Sequence, residues 1–291
     1  MTKQETVPRP QIVVRRIPFS FDEGVEPVWH PTQHEWAHMF NGASLTMPYL
    51  EPFLIKTVRE AIKHVDDAAL KEEVNGFMGQ EGAHYKNHRR LNEILKQHYP
   101  ELAEVEAEMA EDYARFQSKS LRWRLAYTAG FETMTMGVTE WLIADRSKLF
   151  AGADSSVVSL ILWHMVEETE HKNVAYDLYM HMYGNYWPKV WGLLCGSWHV
   201  AWSSRKTYVR MLKRDGRWNR IGSRMKVWGL VGQFLVKAGP AMIRSILPGY
   251  HPMKVKDPEW IAQWASAYEG LPEGRIPLLD TDDSDIPAQF A

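Results

Sequence analysis

Cysteine is nearly absent. Cys195 is the only one in 291 residues, which excludes an intrachain disulfide and any thiolate-built metal cluster. Long apolar runs are missing as well: two uncharged C-terminal stretches, Val190 to Ser204 and Val227 to Val236, span 15 and 10 residues, short of the roughly 18 to 20 that cross a bilayer. The opening MTKQETVPRP joins no basic segment to an apolar one, so no secretory leader is expected and a cytoplasmic setting fits, with or without membrane association. Nor does one sign of charge dominate. With 34 Lys and Arg against 36 Asp and Glu, a globally basic nucleic-acid binder is not indicated.

What is present is a hydrophobic share of 45%, enough for a substantial core, and an almost unbroken helical period. Five of the 16 prolines (Pro8, Pro10, Pro18, Pro27 and Pro31) fall in the first 40 residues, so 1–43 reads as an extended N-terminal arm. From Ser44 the spacing predicts helices near 46–64, 67–97, 101–116, 120–149, 155–183, 187–214 and 218–246, with Asp66 and Asp154 as N-caps. The expected class is all-α: a four-helix dimetal bundle over 44–183 with a crossover helix, a C-terminal helical extension packed on it over 184–250, and an irregular surface tail over 251–291.

Four of these stripes carry ionisable residues where a core should be. One face of 67–97 reads Leu70, Val74, Phe77, Glu81, His84, His88, Leu91 and Leu95, spaced three and four apart on one side of a helix. The stripe of 155–183 holds His164, Glu168 and His171 among apolar residues. Glu132 sits mid-stripe in 120–149, and Glu51 leads the stripe of the first helix. The order is Glu, Glu-x-x-His, Glu, Glu-x-x-His. A third match, Glu35 and His38, lacks an apolar stripe and reads as chance. Glu167 and Glu170 read as surface groups or as partners behind the site.

Four unpaired carboxylates inside a bundle would each cost roughly several kcal/mol of desolvation. Two divalent cations supply the matching charge, and carboxylate oxygen with imidazole nitrogen suits Fe first, with Mn or Zn also accommodated. Two lone glutamates plus two Glu-x-x-His pairs, with one long connection, is the pattern of carboxylate-bridged dimetal bundles. A structural bundle with arginines neutralising the glutamates is the metal-free alternative.

The segments GQEGAHYKNH, AGFETMTMGVTE and LWHMVEETEHKNVAYD resemble the bacterial family of predicted metal-dependent hydrolases, whose helical core is similar to ferritin-like dimetal proteins. The resemblance covers roughly 12–250 and implies metal ligands at Glu51, Glu81, His84, Glu132, Glu168 and His171. One departure is Met47-Pro48-Tyr49-Leu50-Glu51-Pro52, where such proteins tend to have glycine before the glutamate and no proline after it. His164, Glu168 and His171 together resemble the arylamine N-oxygenase type of di-iron site, which implies His164 as a further ligand. His88 reads as an additional ligand or a supporting partner.

The motif order and the resemblance favour a di-iron oxidoreductase or oxygenase that activates O2 to oxidise a small apolar or aromatic substrate with an external electron donor. Metal-dependent hydrolysis through activated water is the alternative, and a non-catalytic iron-binding protein is the second. Finally, Trp187, Trp191, Trp198 and Trp202 precede a segment, Arg205 to Lys226, with nine Lys or Arg and one Asp. That pairing fits peripheral membrane contact or an apolar acid substrate, or else a packing face of the bundle. No nucleic-acid motif accompanies it, and nothing in the sequence indicates an oligomeric state.

Overall fold

The computed structural model describes residues 12–21 and 24–290. Those residues form an all-helical bundle with no strands, only an isolated bridge between Leu279 and Phe290. Residues 1–11 of the expected arm lie outside the described residues.

Helix α1, His34–Ala61, and α2, Ala68–His98, lie side by side. Helix α3, Leu102–Gln117, is the crossover and packs on α1. Helix α4, Leu121–Ala144, and the pair α6, Ser155–Glu170, and α7, Val174–Met182, complete the bundle, with the short α5, Arg146–Phe150, between them. The N-caps are Asp67, Ser120 and Asp154, each accepting a first-turn amide. A short side-chain oxygen satisfies the otherwise orphaned N–H groups there, and Asp67 rather than Asp66 takes that place in α2.

The expected arm over 1–43 ends ten residues early, because α1 begins at His34. Its first three turns bury Glu35, His38, Asn41 and Ser44, so polar residues occupy core positions and mask the period. Pro48 and Pro52 lie inside α1. Proline at 48 cannot donate to the Ser44 carbonyl; Asn92 Nδ2 donates to it instead, at 3.0 Å. Over 12–21 and 24–33 the arm is irregular, but it is pinned: Gln80 donates to the Val13 carbonyl and Asn87 to that of Ile17.

The predicted continuous helix over 155–183 is interrupted at His171, Lys172 and Asn173. Lys172 is buried and donates to the Val255 carbonyl and to Asp257, which draws this turn toward the C-terminal segment. On the far side, α8, Tyr186–Arg214, packs on α4 and α1, and α9, Ile221–Lys237, and α10, Gly239–Ser245, pack on the same layer. Where α4 meets α8 the backbones touch, and a Cβ at Gly130 or Gly192 would overlap the opposing main chain.

The stretch expected to be an irregular surface tail is, over its described residues 251–290, partly helical and partly buried. It contains α11, Glu259–Glu269, and buries Trp260, Trp264, Leu279 and Ile286. Ile261 and Ala288 are buried with them, too few and too widely spread along the chain to stand out in the sequence, while the aspartates stay outside. Leu279 N–H donates to Ser159 Oγ and Gly152 N–H to the Thr281 carbonyl, so the segment closes over the start of α6.

Candidate metal centre

Eight side chains meet between α1, α2, α4 and α6: Glu51, Glu81, His84, His88, Glu132, His164, Glu168 and His171, all buried. They sort into overlapping groups whose donor atoms lie within 4.8 Å of one another. At one end are Glu81, Glu132, Glu168 and His171; at the other, His84 and His164 meet Glu51, Glu81 and Glu168, with His88 beside Glu51 and His164. Glu81 and Glu168 serve both ends. Pro52 does not turn Glu51 away from the group.

Nine atoms of six of these residues are buried with no hydrogen-bond partner: both oxygens of Glu51, Glu81 and Glu132, Glu168 Oε2, His84 Nδ1 and His171 Nε2. Neighbouring polar groups are satisfied in the ordinary way. Thr128 and Thr133 of α4 donate to carbonyls four residues back, and Thr135 donates to the Glu132 carbonyl. Uncompensated buried carboxylates are expensive, so donors left bare and converging are the signature of a place for cations. No Lys or Arg among the described residues pairs with the four glutamates; their ion-pair neighbours are histidines. The arginine-neutralised bundle is thereby set aside.

The histidines are presented inward by what holds them from outside. His84 Nε2 donates to Glu167 at 2.9 Å, which leaves Nδ1 facing Glu81 and Glu168. His171 Nδ1 donates to Gln80 Oε1 at 2.8 Å, and its Nε2 lies 3.3 to 3.5 Å from Glu81, Glu168 and Glu132. A longer line fixes His164. Ser44 Oγ donates to Asn92 and accepts from His88 Nδ1, so His88 Nε2 accepts from His164 Nδ1 at 2.8 Å. In neutral His164 the lone pair then sits on Nε2, 2.9 Å from Glu168 Oε1. Two acceptors facing each other need a proton or a cation between them. An outer hydrogen bond that sets tautomer and ring angle is how metal-binding imidazoles are held.

Burial first, then the charges of Glu168 and Glu132, hold Glu51 well above the usual carboxylate range. Glu81 is raised by burial, Glu132 and Glu168, and Glu132 by burial and Glu168 to about 7. Burial opposes ionisation of Glu168 too, but His171 and His164 outweigh it and keep Glu168 well below the usual range. His171 is raised well above its usual value because Glu168 and Glu132 overcome its burial. His84 and His88 are held neutral by burial and then by His164. Without cations the cluster therefore stores protons, and cations would displace them.

The family model described as predicted metal-dependent hydrolase matches residues 13–256. The chain belongs to this family. No curated protein and no solved structure matches it, so the ferritin-like comparison stands on the order of the motifs alone. Membership of a hydrolase family overturns the expectation of an O2-activating oxidoreductase, and the external electron donor has no part in hydrolysis. What misled that reading is chemical: the same glutamates and histidines serve water activation and oxygen chemistry alike.

The structure brings the motif positions together, with His171 at the point where α6 ends. Glu35 and His38 stay apart from the cluster: His38 bonds Asp215 at 2.7 Å and Glu35 lies 3.4 Å from Arg217. Four supporting residues carried no local signal. Gln80 and Asn92 look like ordinary polar positions, Ser44 lies in the proline-flanked start of α1, and Arg15 is 152 residues from Glu167, to which it donates at 3.3 Å. Arg15 also grips Glu170 through two bonds of 2.8 and 2.7 Å. Glu167 is fully buried, behind His84, and not a surface group; burial, offset in part by Arg15, pushes it up to about 8.

Proposed function

We propose that the chain is a hydrolase using two divalent cations, with Glu81, Glu132, Glu168 and His171 holding one and Glu51, Glu81, Glu168, His84 and His164 holding the other. The observation that carries this reading is the convergence of nine bare buried donor atoms on one volume in a member of a metal-dependent hydrolase family. Such ions, when bound, polarise a substrate oxygen and acidify water. Their donor set of carboxylate and imidazole admits Zn, Mn or Fe.

The chain's own part is to place and protect. Glu81 and Glu168, common to both groups, fix the spacing of the two positions. His88 and Ser44 orient His164 and give a proton held at its Nδ1 a hydrogen-bonded line away from the cluster. Phe77 lies with its ring 4.8 Å from that of His171, and Trp163 lies 4.9 Å from His84. These walls keep bulk water from the ligands, and a small apolar or aromatic compound is the substrate class proposed. A hollow between the arm and α2, lined by Arg16, Ile17, Gly79, Gly82 and Asn87, includes none of the eight residues and is not part of this reading.

The test is anaerobic turnover. Protein loaded with zinc or manganese is assayed, without oxygen, on a panel of aromatic esters, amides and phosphoesters. Hydrolysis that a chelator abolishes and that Glu132→Ala removes supports the reading. Absence of hydrolysis across the panel with every metal, in protein shown to carry two ions, contradicts it.

A further inference from the structure

One side of the molecule is left uncovered by the described residues. Helices α8, α9 and α10 all lie on the layer made by α1 and α4, so the residues on their opposite sides face outward together. On α8 that side carries Trp187, Trp191, Leu194, Trp198 and Trp202, spaced 4, 3, 4 and 4, all exposed, Trp187 by 76% and Trp198 by 71%. These tryptophans are therefore not a packing face of the bundle. On α9 the outward row is Ile221, Met225 and Trp228, the last 67% exposed, followed by Leu235 and Val236. The end of α10 returns to the start of α8, where Lys189 Nζ donates to the Ser245 carbonyl and the Tyr186 hydroxyl to that of Ile246. Both rows lie on the outer side of helices that pack on the same α1–α4 layer.

The charge of this face is one-sided. From Tyr186 to Tyr250 there are 12 Lys and Arg and a single acid, Asp215, which is already engaged by His38 and Tyr99. Among the described residues Arg205, Lys213, Arg220 and Arg224 have no ion-pair partner, whereas their neighbours Arg210, Arg214 and Arg217 do. Arg205 stands over the Trp202 ring at 5.6 Å. Apolar exposure of this extent on a soluble monomer marks a contact surface, and unpaired cations select a partner of negative charge. A second copy would set the same excess of cations against itself. Among the described residues no helix is long and apolar enough to cross a membrane, so the face suits contact in the plane of a bilayer.

We propose that this face rests on an anionic lipid bilayer, with the tryptophans of α8 and Trp228 in the interfacial layer and Arg205, Arg220 and Arg224 toward the headgroups. The inference is independent of the reaction assigned above.

The experiment is flotation of the purified chain with vesicles of phosphatidylcholine alone or with phosphatidylglycerol added. Wild type floats with the anionic vesicles and at least about tenfold less with the neutral ones; Arg220→Glu with Arg224→Glu lowers anionic binding at least about tenfold. Trp191→Ala, Trp198→Ala and Trp228→Ala combined also abolish it, with circular dichroism unchanged because all three side chains are exposed. Quenching of wild-type fluorescence by brominated acyl chains reports the insertion without any substitution. No flotation of the wild type, flotation unaltered by both sets of substitutions, or absence of quenching overturns the proposal. So does a stable dimer that ignores vesicles and dissociates in the tryptophan variant.

Discussion

At His84, His164 and His171 the ring nitrogen turned away from the cluster is tied to a named acceptor, and the nitrogen turned inward is left to the carboxylates. Function at this scale depends on residues that touch no cation themselves. Glu167 is the most exposed to test, because it is the sole outer partner of His84 and is itself held by Arg15. Glu167→Ala frees the imidazole to rotate and is expected to weaken divalent-ion binding by about 10- to 100-fold, as loss of an outer-shell partner does; a competition titration against a chelating dye measures it. His84→Ala and His171→Ala are expected to lose bound metal, while His38→Ala, whose histidine pairs with Asp215, keeps it. Equal loss in all three, read by elemental analysis, would contradict the assignment of Glu35 and His38 to structure.

Among the elements, those carrying the motifs were the most legible. The stripes through Glu81, His84 and His88 and through His164 and Glu168 kept a strict helical period, and a period of three and four survives whatever the tertiary context. α1 was half hidden, because its first turns bury His38, Asn41 and Ser44 and a period of apolar residues is not there to be read. The interruption at His171 was hidden for another reason: it answers to Lys172 and a partner 85 residues away, Asp257. Arg15 with Glu167 is the same case, a contact written in the fold and not in any window of sequence. The close crossing of α4 and α8 was equally silent, since glycine in a helix signals weakness until a second backbone is seen against it. Gly192→Ala is expected to push the two helices apart at a cost of about 1 to 3 kcal/mol, seen as a lower urea midpoint. An unchanged midpoint would mean that α8 can shift freely on α4.

In the whole molecule, the buried cluster makes stability depend on both protons and cations. Glu132, at about 7 against an ordinary 4.5, binds more protons folded than unfolded between those values, and Glu167, at about 8, extends the window upward. Where the native state holds the extra protons, the free energy of unfolding falls as pH rises. Glu51, Glu81 and His171, all raised, act in the same sense; Glu168, lowered, acts only at the acid end, and His84 and His88, lowered by burial, act in the opposite sense but only below the ordinary histidine value of about 6.5. Metal-free protein is therefore expected to melt at lower temperature at pH 8 than at about pH 6.5. Metal-loaded protein, whose ligands carry no protons to lose, should show a much flatter profile. Identical pH slopes with and without metal would mean that these carboxylates are not where the cations go.

On the proposed function, Glu51, Glu81, His84, Glu132, His164, Glu168 and His171 together hold two cations. Native mass spectrometry of the chain, loaded with zinc or manganese under anaerobic conditions, counts them directly. Two ions per chain are expected in the wild type, with loss of at least one in Glu132→Ala and in Glu168→Ala. A chain that binds none, or two ions that persist in both variants, would contradict that assignment.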